Sequence, residues 1–345
     1  MRSLEELANT STDEIADLIP KLILDKVEEA ARARRFGRNL VKINEDLVKT
    51  KGRSIVVGRR GTVTAQDVNE GSDISDSAQG IAYTGSTIVP TKKGVPVHIT
   101  QEAIDGAELN LIEDTVTEAG IALADKEDLD IMEALLKYTV TTQALTSGAT
   151  VDVGSALVYV DETNTAVEAV DYANGKISAS ADGTVDVYTT DYTSDNITDA
   201  LANGDTWNVN AYGPITDAVA EVRGRKWTPN FLVVDPSALS GILKSDMFID
   251  AAKYGSNEQI VNGEIGKVGG LKVLTTTNMP AGAALVIDSE RASWMAVKRK
   301  LDMKRWDNPQ TDSIELYFYV EYGIEVTDAD ALQLILNITK KSASL

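Results

Sequence analysis

The chain has 345 residues, 43% hydrophobic and 25% charged, with a formal net charge of −20 and an isoelectric point near 4.5. That is enough length to bury a large core in two or three domains, and a body so acidic repels nucleic acid over most of its surface. The absence of cysteine excludes disulfides and thiolate metal sites, no apolar run approaches the ~20 residues of a membrane span, and the polar, acidic opening MRSLEELANTSTDEIAD is not that of a secretory signal.

The charge is unevenly spread. Lys21 to Arg60 carries 12 Lys/Arg against 5 Asp/Glu, a net of +7, whereas Thr141 to Thr206 carries one base against 11 acids, a net of −10. Within the basic segment, Asp13 to Ala33 reads as an amphipathic helix, because Ile15, Leu18, Ile19, Leu22, Ile23 and Val27 fall on one stripe. Ser11 or Thr12 is its expected cap, Pro20 predicts a kink or break, and Gly37 ends the pattern. Ser54 to Thr100 has β character. VVGRRGTV resembles a hairpin, NEGSDISDSAQG suits a polar loop tip, and Ile81 to Thr100 alternates. A two-stranded excursion of this kind buries little of itself and is expected to lie on another subunit.

Glu108 to Lys137 predicts a helix about 45 Å long, with Leu109, Ile112, Val116, Ala119 and Leu123 stepping by three and four before Ile131, Met132, Leu135 and Leu136. Asp125 to Asp128 interrupts the stripe, where a bend or a change of register would fit. Thr141 to Thr206 reads as an exposed antiparallel meander, with hairpin turns at Asn174-Gly175 and Asp182-Gly183. Ile215 to Gly224 is a short helix, FLVV (Phe231 to Val234) a buried strand, and Asp235-Pro236-Ser237 the cap of a helix reaching about Lys244. A loop over Asp246 to Gly270 precedes two strands read as a pair, from Leu271 and from Ala283. Ile314 to Glu325, with alternating aromatics, is a strand with one buried face, and DADALQLILN closes an α+β fold.

Chemistry is hard to find. The one histidine, His98, sits on a β-run with no second ligand type nearby, and is read as an ordinary strand residue. Glycines at 263, 266, 269 and 270 lack the Gly-Lys-Ser/Thr ending and following helix of a phosphate loop. The aspartates of the acidic segment lack the spacing of a calcium loop. No catalytic residue, cofactor or metal site is therefore expected. The basic cluster Arg32, Arg34, Arg35, Arg38 and Lys42 is the one candidate site: its cations suit either the acidic surface of a neighbouring subunit or DNA phosphate, and without aromatic interleaving the former is favoured.

The order of parts resembles the Hong Kong 97-type major capsid proteins of tailed bacterial and archaeal viruses. The residues carrying the resemblance are the long helix, YGPITDAVAEVRGRKWTPNFLVVDP (Tyr212 to Pro236), GEIGKVGGLKVLTTTNMPAGAALVI followed by Asp288, and the closing strand with Val326, Asp328 and Ala331. The resemblance implies an N-terminal arm (1–53), an extended loop (54–100), a peripheral domain with a spine helix (101–140 and 289–345), an added acidic β insertion (141–206) and an axial domain (207–288). It further implies a structural virion protein, assembled in the host cytoplasm as hexamers and pentamers of an icosahedral shell. That shell would enclose double-stranded DNA through weak, non-specific contact, with portal, scaffolding and decoration proteins as further partners and no membrane. The same fold in an encapsulin-like nanocompartment is the alternative, against which the polar loop and basic arm argue. The covalent Lys–Asn crosslink of some members does not map onto this chain: Lys92 and Lys93 lie near the extended loop and Asn308 lies late, but nothing pairs them.

Overall fold

In the computed structural model, the residues described are 25–29, 31, 35–49, 52–61, 63, 65, 67, 80–100, 102, 111–152, 158–160, 167–171, 176–200, 207–244, 267–280, 282–308, 310–336 and 338. The fold is mixed α and β. Its strands are β1 (Lys42–Asn44), β2 (Ile55–Arg60), β3 (Tyr83–Ile88), β4 (Thr91–Thr100), β5 (Tyr138–Leu145), β6 (Thr150–Asp152), β7 (Val158–Val160), β8 (Val167–Asp171), β9 (Lys176–Ala179), β10 (Gly183–Thr190), β11 (Ile197–Asp199), β12 (Phe231–Val234), β13 (Lys267–Val268), β14 (Leu271–Thr275), β15 (Ala284–Ile287), β16 (Ser293–Asn308), β17 (Ser313–Val326) and β18 (Leu332–Leu336).

The long helix runs unbroken from Leu111 to Leu136, about 39 Å at 1.5 Å per residue. Its buried residues Val116, Ala119, Leu123, Glu127, Ile131 and Leu135 step by three or four, so one stripe faces the body along the helix. The stripe packs on a four-stranded sheet of order β1-β16-β17-β4. Leu316, Phe318, Val320 and Tyr322 of β17 share one core with Leu123, Ile131 and Leu135 of the helix. The alternation expected over Ile314 to Glu325 is present except at Tyr319, which is buried on the opposite face, and the strand is longer than expected because β16 and β17 form a long antiparallel hairpin.

A six-stranded sheet of order β11-β18-β15-β12-β14-β13 forms the second core. Both its faces are covered. Leu232, Val234, Ala284, Val286 and Ile335 face helices Tyr212–Gly224 and Pro236–Lys244, whereas Val233, Leu285, Ile287, Leu332, Leu334 and Leu336 face the core shared with the long helix. This explains why FLVV, ALVI and LQLIL read as nearly continuous apolar runs. Asp235 caps the second of these helices as expected, its carboxylate accepting from Ser237 N at 2.9 Å. Gly269 (φ +58°) and Gly270 (φ +86°) form the two-residue turn joining β13 to β14, a left-handed backbone that glycine adopts without steric cost.

Several local expectations are corrected. VVGRRGTV is not a hairpin: β2 runs straight through Gly58, which lies opposite Gly85 of β3, and Gly58 is not in the left-handed conformation a tight turn needs. Ile81 to Thr100 is two strands. It divides at Val89-Pro90, β3 pairing with β2 and β4 with β17. The strands from Leu271 and Ala283 are not paired with each other, because β12 lies between them, parallel to β14 and antiparallel to β15. The acidic segment is not one meander but two three-stranded sheets, β5-β10-β7 and β6-β9-β8. Asp182-Gly183 therefore passes between sheets, and the Asp182 carboxylate accepts from Ser147 N at 2.8 Å. Strand β11, inside the predicted insertion, pairs in parallel with β18. The helix expected over Asp13 to Ala33 is helical at 25–29; its Pro20 kink, the loop tip NEGSDISDSAQG, the Asn174-Gly175 turn and most of the loop over Asp246 to Gly270 lie outside the described residues.

Phe318 is among the largest fully buried side chains, at the centre of the core between sheet and long helix. Phe318→Ala is expected to cost the subunit about 3–5 kcal/mol, read as a fall in the urea midpoint of the unassembled chain.

Candidate functional site: the joint between arm and long helix

The apolar stripe of the long helix carries two acids at its middle, Glu127 and Asp128, exposed by 0% and 2% respectively. A buried carboxylate must be neutralised and hydrogen-bonded where it stands, and residues from the arm do both. Arg38 grips Glu127 with its Nε on one oxygen and its Nη2 donating to the other at 3.1 Å. Arg35 Nε stands 3.1 Å from Glu127 Oε2, with its side chain 8% exposed. Next door, Asp128 accepts from the backbone N–H groups of Phe36 (3.2 Å) and Gly37 (3.0 Å). The four consecutive residues Arg35 to Arg38 thus all bind one turn of helix some 90 positions further along the chain.

Gly37 is required for that fit. A Cβ at this position would lie 2.8 Å from Asp128 Oδ1 and 2.9 Å from Ile131 Cδ1, closer than any ordinary contact. Residues Gly37–Leu40 form a turn of 3-10 helix that buries Leu40, and β1 then pairs in parallel with β16. The arm is therefore tied to the body at the helix by charge and at the sheet by backbone pairing.

Burial raises the Asp128 carboxyl above its ordinary value, the two backbone donors only partly offsetting it. Asp130, two residues further along the helix, behaves oppositely. Burial would raise it, but Lys126 at 2.7 Å, the Tyr322 hydroxyl donating at 2.8 Å and Lys93 at 3.3 Å outweigh burial and hold it below the ordinary value. Burial lowers the Arg35 guanidinium despite Glu127 beside it, whereas for Arg38 the hydrogen bond and charge of Glu127 overcome burial and raise it.

Of the five cations singled out by sequence, Arg35 and Arg38 come together on Glu127 of their own chain. Lys42 stands apart on β1 with its Nζ 4.8 Å above the Trp294 ring, and Arg32 and Arg34 lie outside the described residues. Glu127 and Asp128 were missed. Their signal was visible as the interruption at Asp125 to Asp128, which marks a docking point rather than a bend. A second ionic tie holds the excursion: Arg59 of β2 reaches Asp328 at 3.0 Å and Asp330 at 2.6 Å. His98 is exposed on β4 opposite Glu315. Among the described residues no group of three or more His, Asp or Glu side chains is placed to hold a metal, and no helix is long and apolar enough to cross a membrane.

A long helix packed on a four-stranded sheet beside a six-stranded sheet, with the antiparallel pair β2-β3, is the Hong Kong 97-type capsid fold. A sequence profile of the phage capsid protein family matches residues 84–335, and the chain belongs to that family. No curated protein matches it in sequence. Among solved structures it is similar to a protein of Mycobacterium phage Che8, with 13% identity over 89% of this chain and 92% of the other and a TM-score of 0.57. It is also similar to the capsid of cyanophage P-SCSP1u, with 11% identity, 89% of both chains and a TM-score of 0.60. A third likeness is to a virus-like particle from Pyrococcus furiosus, with 10% identity, 91% of this chain and 98% of the other, and a TM-score of 0.50. The chain is a structural, virion-forming protein that self-assembles into a capsid shell.

Removing Glu127 leaves two guanidinium groups facing the core. Glu127→Ala is expected to destabilise the subunit by about 3–5 kcal/mol, whereas Asp128→Asn, which keeps an acceptor for Gly37 N, costs far less; thermal unfolding of both variants checks the order. Because Asp130 is depressed in the folded state, its charge stabilises the fold above the ordinary carboxyl range near 3.8, and this contribution is lost as pH falls through the depressed value. Asp130→Asn is therefore expected to unfold more readily than wild type at pH 7, with the gap closing in acid, as urea titrations at both pH values would show.

Proposed function

We propose that this chain is the principal wall protein of a tailed-virus head, assembling as hexamers and pentamers into an icosahedral shell around double-stranded DNA. The observation that carries the reading is the excursion β2-β3. One of its faces, with Ile55, Val57 and Ile88, packs at its base against Leu47, Trp294 and Ala296. The other leaves Val56 67% and Tyr83 71% exposed. A two-stranded ribbon so open is marginal alone, and a neighbouring subunit in a closed ring supplies the missing cover.

The parts then have distinct work. Residues 1–53 are the arm, held by Glu127 and Asp128, with Arg32 and Arg34 left as candidates for a neighbour or DNA phosphate. Strand pairing supports an extended loop that ends at Ile88, an insertion that ends at Thr190, and a closing strand β18 that serves the axial domain. The acidic body keeps DNA contact weak and non-specific, as an encapsulated genome that must leave requires. Portal, scaffolding and decoration proteins are the remaining partners, and assembly takes place in the host cytoplasm.

Negative-stain micrographs of the purified chain test the reading: closed shells are expected, and a monodisperse monomer at every salt concentration would overturn it. DNA, not an enzyme cargo, is expected inside native particles. Val56→Ser with Tyr83→Ser should leave subunit stability within about 0.5 kcal/mol of wild type yet suppress shell formation, as scattering during assembly would record.

A further inference from the structure

The outward face of the four-stranded sheet concentrates positive charge. Since Leu316, Phe318, Val320 and Tyr322 point into the core, the alternate residues Glu315, Tyr317, Tyr319 and Glu321 point away from it. Three cations converge on the ring of Tyr319: Lys92 Nζ at 4.5 Å, the Arg299 guanidinium carbon at 5.4 Å and Lys304 Nζ at 6.0 Å from its centre. They come from strands on both sides, Lys92 from β4 and the other two from β16. Among the described residues none of the three forms an ion pair, although Lys298 beside them is paired with Glu321 at 3.1 Å and Lys93 with Asp130.

The three cations cover Tyr319, which is only 4% exposed, but their own charged ends lie in solvent and repel one another across the ring. Asp302, across the register from Tyr319, offsets one of the three. Beside the cluster lies an apolar shelf: Trp306 is 63% exposed and Tyr317 37%, with Pro96 opposite Tyr317. A cationic centre with aromatic flanks is the composition of a protein-binding surface, where arginine and aromatic side chains concentrate.

We propose that this face is a docking surface for a carboxylate-bearing segment of a second copy of this chain. Charge complementarity selects the occupant: a chain of net charge −20 mostly presents acids to its neighbours, and a local excess of positive charge is where two such copies can meet without repulsion. Duplex DNA fits less well, because Glu315, Glu321 and Asp302 share the face with the cations and because the exposed rings of Trp306 and Tyr317 have no place against a phosphate backbone. The proposal rests on the shell-forming role, and its test separates the two.

The test compares wild type with K92E/R299E/K304E, all three sites being solvent-exposed, in shell assembly from purified subunits at low and high salt. Carbodiimide coupling of mixed isotope-labelled and unlabelled wild-type shells then reports whether Lys92 or Lys304 bonds to an acid of another copy. The variant is expected to stay folded with a lowered unfolding midpoint, because K92E and R299E set acids opposite Glu321, whereas the milder K92Q/K304Q should keep the wild-type midpoint and still show the assembly defect in weaker form. The triple variant should need at least about tenfold more protein for half-assembly at low salt, the equivalent of about 1.4 kcal/mol, with a difference that shrinks in 1 M salt, where the screening length is about 3 Å. Inter-copy coupling at Lys92 or Lys304 is expected. Wild-type subunits that form no shells would count against the shell role itself. Normal assembly of the variant, coupling confined within single chains, or intact variant shells that have lost only their DNA would each overturn the docking surface.

Discussion

A carboxylate with no exposure to water, set in the middle of a helix, imposes a condition on everything around it. Glu127 occupies a position on the buried stripe between Leu123 and Ile131 that an aliphatic residue would fill at no electrostatic cost. Because it is an acid, the long helix can pack on the sheet only if positive charge arrives with it, and that charge comes from Arg35 and Arg38. Packing of the helix, seating of residues 35–38 and burial of Leu40 are thereby coupled. Replacing such a pair with apolar residues is often neutral for stability alone; the charged pair here also fixes register, since Arg35, Phe36, Gly37 and Arg38 converge on Glu127 and Asp128.

A comparable coupling links the two sheets. The six-stranded sheet shares one face with the core under the long helix, so Val233, Leu285 and Leu334 lie in the same cluster as Leu135 and Phe318. Tyr192, just after the acidic sheets, donates its hydroxyl to Leu135 O at 2.7 Å near the end of the helix, and burial raises the pKa of that hydroxyl. The chain leaves the helix at Lys137, makes its two small sheets, and returns within hydrogen-bonding distance of where it left, Asp191 N donating to Lys137 O at 3.1 Å. The two small sheets thus begin and end at one point of the core.

Charge does different work at different depths. At the arm joint it is buried and specifies position. At Arg59, 43% exposed, it ties the base of the excursion to Asp328 and Asp330, a contact that solvent screens more strongly. On the outer face of the sheet it gathers around Tyr319 with no ion-pair partner among the described residues, available to something outside the subunit.

The amino-acid pattern alone determined the parts and their order. Apolar residues at steps of three and four located the long helix to within a few residues of its ends, the runs FLVV and ALVI marked strands, and Asp235-Pro236 marked a helix start, because each of these signals is local. Partners in space were decided only by the tertiary structure. Nothing near Leu271 or Ala283 says that FLVV inserts between their strands, and nothing in Asp182-Gly183 distinguishes a hairpin from a passage between two sheets, since strand pairing depends on residues far away in sequence. Likewise the arginines at 35 and 38 were legible as a basic cluster, but their partner was not: a buried ion pair spanning some 90 residues is visible only when the helix and the arm are packed together, where the cost of an unpaired charge leaves each no other choice.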